Sequence, residues 1–406
     1  MKSKRILYLF ASYPRWSEGF LRQDLGGLLA SGLQIVAASL FPGDCQVQPG
    51  WPVVTFLTEG DGGIDAGAEA APAQVALAGT SAGRDKEAGS EASFGIGLSC
   101  LVPRPLRAPL TMMRHRWLFK KLLQLCKEEH ISHIHGEFAD IAGLFAAKAA
   151  ARLGCTYSLG LHADDCLKMK YTPAILFKNA SFVTICNENA RNMLLEKGCI
   201  DAGRLHLLRH GVDLRFWSFM ENRHINTEFD VLFAGRLVPK KGLDLLLEAL
   251  SMLPANYTLK VAGAGPEEAV LRKMARNLGV SGRVTWLGWL GQEALRTVFA
   301  TSSCLCVPSV EGRGGIDGVP NVMLEAMASG LPVVAFGKGG IGEALDAENG
   351  FLAEECTADA LCGALRFLEG NAPEAEKRRH AARARVEQDF DAARLAKERA
   401  TLFEEI

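Results

Sequence analysis

Two carboxylates, Asp317 and Glu325, frame the start of a predicted helix in the second half of the chain. A glycine-rich loop at residues 312–318 leads into a helix at residues 321–329, and Pro320 suits its first turn because the amide that proline lacks would be unpaired there. Such a loop concentrates free amides and positive partial charge at a helix N-terminus. The pattern therefore predicts a site for an anionic ligand, such as a nucleotide diphosphate.

Basic residues follow another predicted strand of the same half. Arg236 and Lys241 flank a tight loop that begins at Gly235. A planar guanidinium and a mobile ammonium at the C-terminal end of a strand are suited to a diphosphate. The next strand ends at Gly263 and Gly265, whose small size would let a nucleotide approach the backbone.

A histidine marks the end of a strand in the first half of the chain. The apolar run at residues 155–161 ends in His162-Ala-Asp-Asp165. Ligands of open α/β sheets bind outside the carboxyl ends of the strands, which makes His162 a candidate for chemistry. A purely structural histidine at this position is the alternative.

Taken together, these motifs resemble the retaining glycosyltransferases of the GT-B type, glycosyltransferase family 4, which include bacterial exopolysaccharide and lipopolysaccharide (colanic acid-type) transferases. That family carries two acids separated by seven residues, followed by Ala-Met-Ala and Gly-Xaa-Pro-Val-Val. Asp317, Glu325, Ala326–Ala328 and Gly330–Val334 match this pattern. The first acid of the family is usually Glu, so the shorter Asp317 leaves its own role open.

The resemblance implies a role for each candidate residue. His162 would lie beside the reacting sugar, Asp317 would approach the donor sugar, and Arg236 and Lys241 would grip the donor phosphates. Glu325 would hold the ribose hydroxyls. The other residues that the resemblance places at the donor are Gly235, Gly263, Gly265, Gly318, Val319, Pro320, Asn321 and, in a base-reading loop, Trp289. Those that it places on the acceptor side are Ser17, Glu18, His135 and Glu137.

Two further positions can be compared with the family pattern. His210 stands where the family's Asn-Gly-Val-Asp linker has asparagine. Cys186 lies close to a position where the family commonly has a small hydroxyl residue, just before a helix that would face the donor.

Alternating strands and helices imply parallel sheets in both halves of the chain. We therefore predict an α/β fold with two facing Rossmann-like domains and a deep interdomain cleft. Residues 1–215 would form the acceptor-side domain, residues 216–385 the donor domain, and residues 386–406 a helix that crosses back to the first domain. Residues 59–97 are rich in Ala, Gly and Ser and lack apolar periodicity, which predicts a flexible insert.

Composition narrows the class of protein. The 406 residues fit two domains, and a net charge of −1 gives no reason to propose a nucleic acid partner. The eleven cysteines lack metal-type spacing and are expected to be mostly buried free thiols. Neither a secretory signal nor an apolar run of membrane-spanning length is visible, so we expect a cytoplasmic enzyme.

A basic segment at residues 104–127 leaves two interpretations open. Leu110, Met113 and Trp117 lie on one face of a predicted helix together with Leu118 and Leu122, and arginines and lysines surround them. Such a helix can lie on an anionic membrane, here the inner face of the cytoplasmic membrane. It can equally be a core-packed helix with a solvated charged face.

The resulting prediction is a retaining glycosyltransferase of bacterial surface polysaccharide biosynthesis. It would move a sugar from a nucleotide sugar to a glycan or polyprenyl-linked acceptor. No metal or other cofactor is expected, because Arg236, Lys241 and the helix dipole at Pro320 can neutralise the leaving diphosphate. A sugar-nucleotide epimerase of the same fold and a noncatalytic nucleotide-sugar-binding partner are the alternatives.

Overall fold

The computed structural model describes residues 4–13, 19–43, 52–58, 103–222, 228–312 and 318–406. The predicted insert and three candidate site residues, Ser17, Glu18 and Asp317, lie outside these ranges. Within the ranges, every helix is too short or too polar to cross a lipid bilayer.

The first half of the chain forms a parallel sheet of seven strands in the order β3-β2-β1-β4-β5-β6-β7. Residues 6–10 of the central strand are all buried, as expected when helices cover both faces of a parallel sheet. The strands are β1 (Arg5–Tyr13), β2 (Gln34–Pro42), β3 (Thr55–Phe56), β4 (His133–Glu137), β5 (Thr156–Leu161), β6 (Val183–Ile185) and β7 (Leu205–Leu207).

Helices connect these strands, and side chains at the strand ends start several of them. The Asp140 carboxylate accepts from the Ala142 amide, and the Asn187 side chain accepts from the Ala190 amide, as N-cap residues do. The helices of this half are α1 (Gly19–Ala30), α2 (Arg104–Arg114), α3 (Arg116–Glu128), α4 (Ile141–Leu153), α5 (Ala163–Lys168), α6 (Pro173–Phe177) and α7 (Glu188–Glu196).

The second half forms a parallel sheet of six strands in the order β10-β9-β8-β11-β12-β13. Its strands are β8 (Phe229–Ala234), β9 (Tyr257–Ala262), β10 (Val284–Gly288), β11 (Cys304–Val307), β12 (Val333–Phe336) and β13 (Phe351–Ala353). Its helices are α8 (Leu243–Met252), α9 (Glu268–Asn277), α10 (Gln292–Ala300), α11 (Asn321–Ala328) and α12 (Ala358–Gly370). The predicted pair of Rossmann-like sheets is confirmed.

Both sheets reverse their strand order at a central pair of strands. In the first sheet β1 lies beside β4, and in the second β8 lies beside β11. The crevice at such a switch point, at the carboxyl ends of the strands, is where open α/β sheets bind ligands. The topology therefore defines one candidate edge on each sheet.

Two further helices, α13 (Ala372–Asp389) and α14 (Ala392–Glu404), return the chain to the first sheet. The Val212 amide donates to the Phe390 carbonyl, and the Val212 carbonyl accepts from the Ala392 amide. Helix α14 then packs against α1, where the Arg399 guanidinium lies 2.6 Å from the Asp24 carboxylate. Both side chains are less than one-tenth exposed, so this is a buried ion pair.

The basic segment departs from its sequence-based prediction. Two helices, α2 and α3, replace the single predicted helix, because His115 between them leaves helical dihedral angles. Leu118 and Leu122 of α3 are fully buried, whereas Met113 of α2 is 68% exposed. The prediction of a single continuous helix through the segment is therefore wrong.

The buried Arg399–Asp24 pair leads to a stability prediction. Arg399→Ala leaves the Asp24 carboxylate buried without its arginine, so we expect the free energy of unfolding to fall by about 3 kcal/mol, the lower end for a broken buried pair because His210 still contacts Asp24. Urea denaturation followed by circular dichroism measures the change.

Arg394→Ala on the same helix is the matched control. Arg394 pairs with Glu398 one turn away at the surface, where such a pair contributes about 0.3–0.5 kcal/mol. Equal losses in the two variants would contradict the assignment of Arg399 as a buried anchor.

Candidate active site

Four side chains converge where neighbouring strands of the first sheet end. Glu137 is the last residue of β4, His162 follows β5, and Cys186 follows β6. His210 comes three residues after the end of β7. The parallel order β4-β5-β6-β7 places these residues side by side at the carboxyl edge of the sheet.

The side chains form a hydrogen-bonded chain. His162 Nε2 lies 2.7 Å from Glu137 Oε1, and His210 Nδ1 lies 2.9 Å from Asp24 Oδ2. The remaining nitrogens of the two rings, His162 Nδ1 and His210 Nε2, lie 3.2 Å apart, and the rings are stacked. The Cys186 thiol contacts both rings. The edge of the sheet thus holds two imidazoles and a thiol between two carboxylates.

Helix α5 fixes the backbone of His162. The His162 amide donates to Asp165 Oδ2 over 2.8 Å, and the other oxygen of that carboxylate accepts from the Ala139 amide. This arrangement explains the His-Xaa-Xaa-Asp spacing physically, because the aspartate is three residues into the helix and reaches back to its start.

Glu137 is buried and positions His162. The Tyr8 hydroxyl donates to Glu137 Oε2 over 2.7 Å, and His135 Nε2 lies 3.2 Å from the same oxygen. Burial alone would raise the pKa of Glu137, but hydrogen bonds from His135 and His162 outweigh it and hold the pKa well below its ordinary value. Glu137 is therefore a carboxylate that fixes the orientation of the His162 ring.

His135 does not reach the cleft. It is 3% exposed, and its Nδ1 lies 2.7 Å from the Ser158 hydroxyl inside the sheet. Glu137 is also only 3% exposed. The sequence-based prediction that these two residues face an acceptor therefore needs correction: both lie beneath the cleft surface, since side chains of a fully covered strand point into the core.

Hydrogen bonds within the cluster shift the pKa values of His162 and Cys186 in opposite directions. Burial lowers the pKa of His162, but hydrogen bonds to Cys186 and Glu137 raise it well above the ordinary value. Burial raises the pKa of Cys186, but the hydrogen bonds from both histidines bring it down to about 6. The arrangement therefore favours the protonated form of His162 and the thiolate form of Cys186.

Cationic residues occupy the corresponding edge of the second sheet. Arg236 is exposed after the end of β8, and Lys241 is partly buried at the end of a short 3₁₀ turn. The aliphatic part of Lys241 passes 3.9 Å from the position that a β-carbon on Gly235 would take. The three residues that the sequence grouped as a diphosphate element are therefore adjacent.

Close packing of the backbone requires glycine at positions 263 and 265. A β-carbon on Gly263 would lie 1.8 Å from the Gly235 carbonyl oxygen, and one on Gly265 would lie 2.3 Å from the Leu237 carbonyl oxygen. Gly263 also has a φ of +151°, which other residues rarely adopt. The loops after β8 and β9 can pack together only because both positions lack a side chain.

Helix α11 begins at a residue that cannot cap it. Pro320 is its N-cap residue, and the proline ring offers no acceptor for the first amides of the helix. Two buried polar atoms nearby in the chain, Ser309 Oγ and Asn321 Oδ1, have no hydrogen-bond partner among the described residues. Buried polar atoms normally have partners, so this edge is suited to a polar ligand.

The edges of the two sheets meet. A β-carbon on Gly318 would lie 3.0 Å from Asn187 Nδ2 and 3.5 Å from the Ala163 β-carbon. The Glu343 carboxylate accepts from the amides of Glu188 and Asn189 at the N-terminus of α7. Gly318, just before α11, and the residues after β5 and β6 therefore face one cleft.

Glu325 lies on α11 and is linked to both halves of the chain. It is partly buried, bonded to Gln292, and close to Arg22, which itself donates to Gln292 over 2.8 Å. Burial raises the pKa of Glu325 to about 7, against the opposing effects of Gln292 and Arg22. Val319 is partly buried beside Pro320, and Trp289 is 46% exposed.

Sequence reasoning missed several members of the site. Asp24, Tyr8 and Arg399 carry no motif, because each reaches the site from a distant part of the chain. The sequence pointed to His210 and Cys186 only through the family resemblance. Their position just after a strand was the signal that could have brought them together.

Part of the chain matches a known protein family. Residues 217–385, which include the second sheet, match the model of the family described as glycosyl transferases group 1. An Escherichia coli protein named provisionally as the colanic acid biosynthesis glycosyltransferase WcaL is 28% identical over 242 residues, 58% of this chain and 59% of that protein. The amylovoran biosynthesis glycosyltransferase AmsK of Erwinia amylovora is 28% identical over 206 residues, half of each chain. This chain thus spans about three fifths or less of the length of these relatives.

Solved structures share the whole fold. The Anabaena protein HepE in complex with UDP aligns with a TM-score of 0.70 and 17% identity, covering 99% of this chain and all of that one. The sucrose-phosphate synthase of Thermosynechococcus elongatus aligns with a TM-score of 0.69 and 18% identity, covering 99% of each chain. The predicted two-domain fold of the GT-B type is therefore confirmed.

The contact between Glu137 and His162 leads to a prediction. Glu137→Gln keeps an oxygen that can accept from His162 Nε2 but removes the negative charge, so we expect the pKa of His162 to fall. NMR titration of the histidine ring signals measures this pKa, with the His162 signal assigned by its loss in His162→Asn.

Glu129→Gln provides the control, because Glu129 pairs with Arg5 at the surface and should leave His162 unchanged. A His162 signal that titrates identically in Glu137→Gln and in the unmodified protein would exclude Glu137 as the source of the shift.

Proposed function

We propose that this protein is a retaining glycosyltransferase that moves a sugar from a nucleotide sugar to a glycan or lipid-linked acceptor. One observation carries the proposal: Gly318, two residues before the N-cap of α11, lies against Asn187 and Ala163, so the carboxyl edges of the two sheets border one cleft. A donor diphosphate would bind the cations and the amides at the start of α11. The sugar would then point toward the first sheet, where the acceptor would bind.

The names of the matched proteins support the substrate class. HepE is described in complex with UDP and with UDP-glucose, which makes a uridine diphosphate sugar the first donor to examine. WcaL and AmsK are named for the biosynthesis of colanic acid and amylovoran, which supports an acceptor in polysaccharide assembly. These names favour sugar transfer over the epimerase and the noncatalytic partner.

Electrostatic stabilisation of the leaving diphosphate is the main contribution that we assign to the protein. Arg236, Lys241 and the α11 N-terminus supply fixed positive charge where negative charge develops, so transfer requires no metal. The proposed retaining step is attack from the front face of the sugar, with the leaving phosphate taking the proton of the acceptor hydroxyl. Asp317 would approach the donor sugar, as the family resemblance implies.

We assign His162 an electrostatic role in this mechanism. Its Nε2 contacts Glu137, and its Nδ1 lies within hydrogen-bonding distance of His210. Both ring nitrogens are thus engaged inside the protein, which leaves neither free to shuttle a proton. A histidinium held by Glu137 adds positive potential at the edge where the sugar would leave its diphosphate.

A panel of labelled nucleotide sugars tests the function. The purified protein is incubated with each donor, with and without a lipid-linked acceptor, and free nucleotide and labelled product are measured. Transfer predicts product only with acceptor, epimerisation predicts an altered donor without acceptor, and a noncatalytic partner predicts binding without either product.

Arg236→Ala and Lys241→Ala give the sharpest prediction for the diphosphate site. Each variant removes a preorganised charge, so we expect the rate of transfer to fall by about 100- to 1,000-fold, or roughly 2.7–4 kcal/mol, while the unfolding transition stays unchanged. Lys273→Ala, which removes an exposed lysine of α9, is the control for charge alone. Normal transfer by either of the first two variants would refute the diphosphate assignment.

Glu325 gives a prediction on nucleotide binding. A carboxylate can accept from both hydroxyls of a ribose, so Glu325→Ala should weaken binding of the free nucleoside diphosphate by about 1–3 kcal/mol and Glu325→Gln by less. Calorimetric titration measures both affinities, and exposed Glu348→Gln serves as the control.

The same variants give a test by pH. Above a pH of about 7 Glu325 is ionised and should bind better than glutamine, whereas below it the protonated acid resembles the amide. The affinity ratio of unmodified protein to Glu325→Gln should therefore approach one as the pH falls through 7, since the ligand's own titration is common to both. A ratio independent of pH would remove Glu325 from the ribose site.

A further inference from the structure

Three potential metal ligands lie together at the edge of the first sheet. His162, Cys186 and His210, hereafter the His–Cys cluster, each offer one ligand atom, and these atoms lie within 4.8 Å of one another. In the part of the chain that the structure describes, no other group of three or more His, Cys, Asp or Glu side chains meets this criterion.

The carboxylates behind the histidines determine where the ring protons lie. Glu137 accepts from His162 Nε2, and Asp24 accepts from His210 Nδ1, so each outer nitrogen carries a proton. The inner nitrogens, His162 Nδ1 and His210 Nε2, lie 3.2 Å apart and both lie beside the Cys186 sulfur. Protons on the inner nitrogens, or a metal ion between the three atoms, would satisfy this geometry.

The separation of the two inner nitrogens suits a cation with tetrahedral coordination. Two imidazole nitrogens on one zinc ion, each bonded at about 2.05 Å, lie about 3.3 Å apart, and the observed separation is 3.2 Å. Two imidazoles and a thiolate are a ligand set that a borderline-soft divalent cation such as Zn²⁺ prefers.

The two histidines of the cluster also have the carboxylate partners that metal-bound histidines usually have. Metal-bound histidines donate their second ring N–H to a carboxylate or carbonyl, which fixes the ring and raises its basicity. Glu137 and Asp24 provide this carboxylate to His162 and His210, and both carboxylates are buried.

We propose that the His–Cys cluster binds Zn²⁺ or a cation of the same class, and that the bound cation inhibits the enzyme. The inhibition rests on the proposed function, whereas the binding does not. Zn²⁺ would bind the Cys186 thiolate and displace the protons of the inner ring nitrogens, which pass to solvent. Three protein ligands leave a fourth position for water.

The place of the cluster in the cleft explains the inhibition. A β-carbon on Gly318 would lie 4.0 Å from Cys186 Sγ, so the cluster borders Gly318, two residues before the N-cap of α11. A cation here would hold His162 and Cys186 in one arrangement and occupy space beside the proposed donor. Zinc therefore regulates rather than supports transfer in this proposal.

Titration of the chelator-treated protein with Co²⁺ tests the binding directly. Co²⁺ replaces Zn²⁺ in tetrahedral sites and, when a thiolate binds it, gives a near-ultraviolet charge-transfer band together with intense visible bands. We expect both sets of bands to saturate at one Co²⁺ per chain and to disappear on addition of Zn²⁺.

Variants connect the spectrum to the cluster. Cys186→Ser should lose the charge-transfer band, and His210→Asn should weaken Co²⁺ binding at least 10- to 100-fold, the loss that follows even when an outer partner is removed. Cys199→Ser and His206→Ala remove a thiol and an imidazole elsewhere on the same half of the chain, and should leave both the band and the affinity unchanged. Circular dichroism confirms that each variant is folded.

Three outcomes would overturn the binding: no tetrahedral spectrum in the unmodified protein, a band that survives in Cys186→Ser, or a band lost in Cys199→Ser. Any of them would mean that the cluster holds protons only. None requires a donor or an acceptor, so a failure here is distinct from a failure of the proposed function.

The inhibition is tested once a donor is known. Nucleotide release is measured against buffered free Zn²⁺, and its midpoint should equal the Zn²⁺ affinity obtained by competition with Co²⁺. His210→Asn should raise that midpoint at least about 10-fold, whatever its own basal rate. Transfer that is lost in chelator and restored by Zn²⁺ would overturn the inhibitory role.

Discussion

A single buried carboxylate, Asp24, joins three distant parts of the chain. It lies on α1, pairs with Arg399 of α14 and accepts from His210 in the segment after β7. Burial raises its pKa, but Arg399 and His210 outweigh this effect and keep the pKa below the ordinary value. A charge taken out of water must be compensated in this way, so the position of His210 and the docking of α14 are coupled.

The coupling extends to the cleft. His210 contacts His162, which contacts Glu137, which in turn accepts from Tyr8 in the central strand. The first sheet thus presents its edge groups on a rigid, fully bonded support. The second sheet instead presents Arg236 and Lys241 on loops whose close packing depends on glycine. One side of the cleft is built for fixed orientation and the other for contact with a charged ligand.

The sequence predicted the fold well because its information is local. Apolar strands, N-cap residues and glycine loops each act within a few residues, and they led to both sheets and to the element at Gly235, Arg236 and Lys241. Contacts between side chains that are distant in the sequence cannot be predicted in this way. Asp24 and Arg399 are 375 positions apart, and no spacing rule connects them.

The contrast between local signals and distant partners also explains which predictions were missed or wrong. Ligand spacing along the chain gave no hint of a cluster, because His162, Cys186 and His210 come from three separate strand ends that only the topology unites. The prediction of one helix at residues 104–127 was wrong because helical periodicity does not reveal a break such as the one at His115. Asp317, Ser17 and Glu18 remain predictions, since they lie outside the described residues.

Helix α14 has a consequence for the order of events during synthesis. At about 5–20 residues per second, a ribosome needs roughly 20–75 seconds to travel from Asp24 to Arg399. Throughout that interval the nascent first sheet lacks the aromatic ring of Phe403, which later packs against Phe182 and His135. The half of the protein that is made first is therefore completed last, and its exposed surface in the meantime is one that a chaperone could recognise.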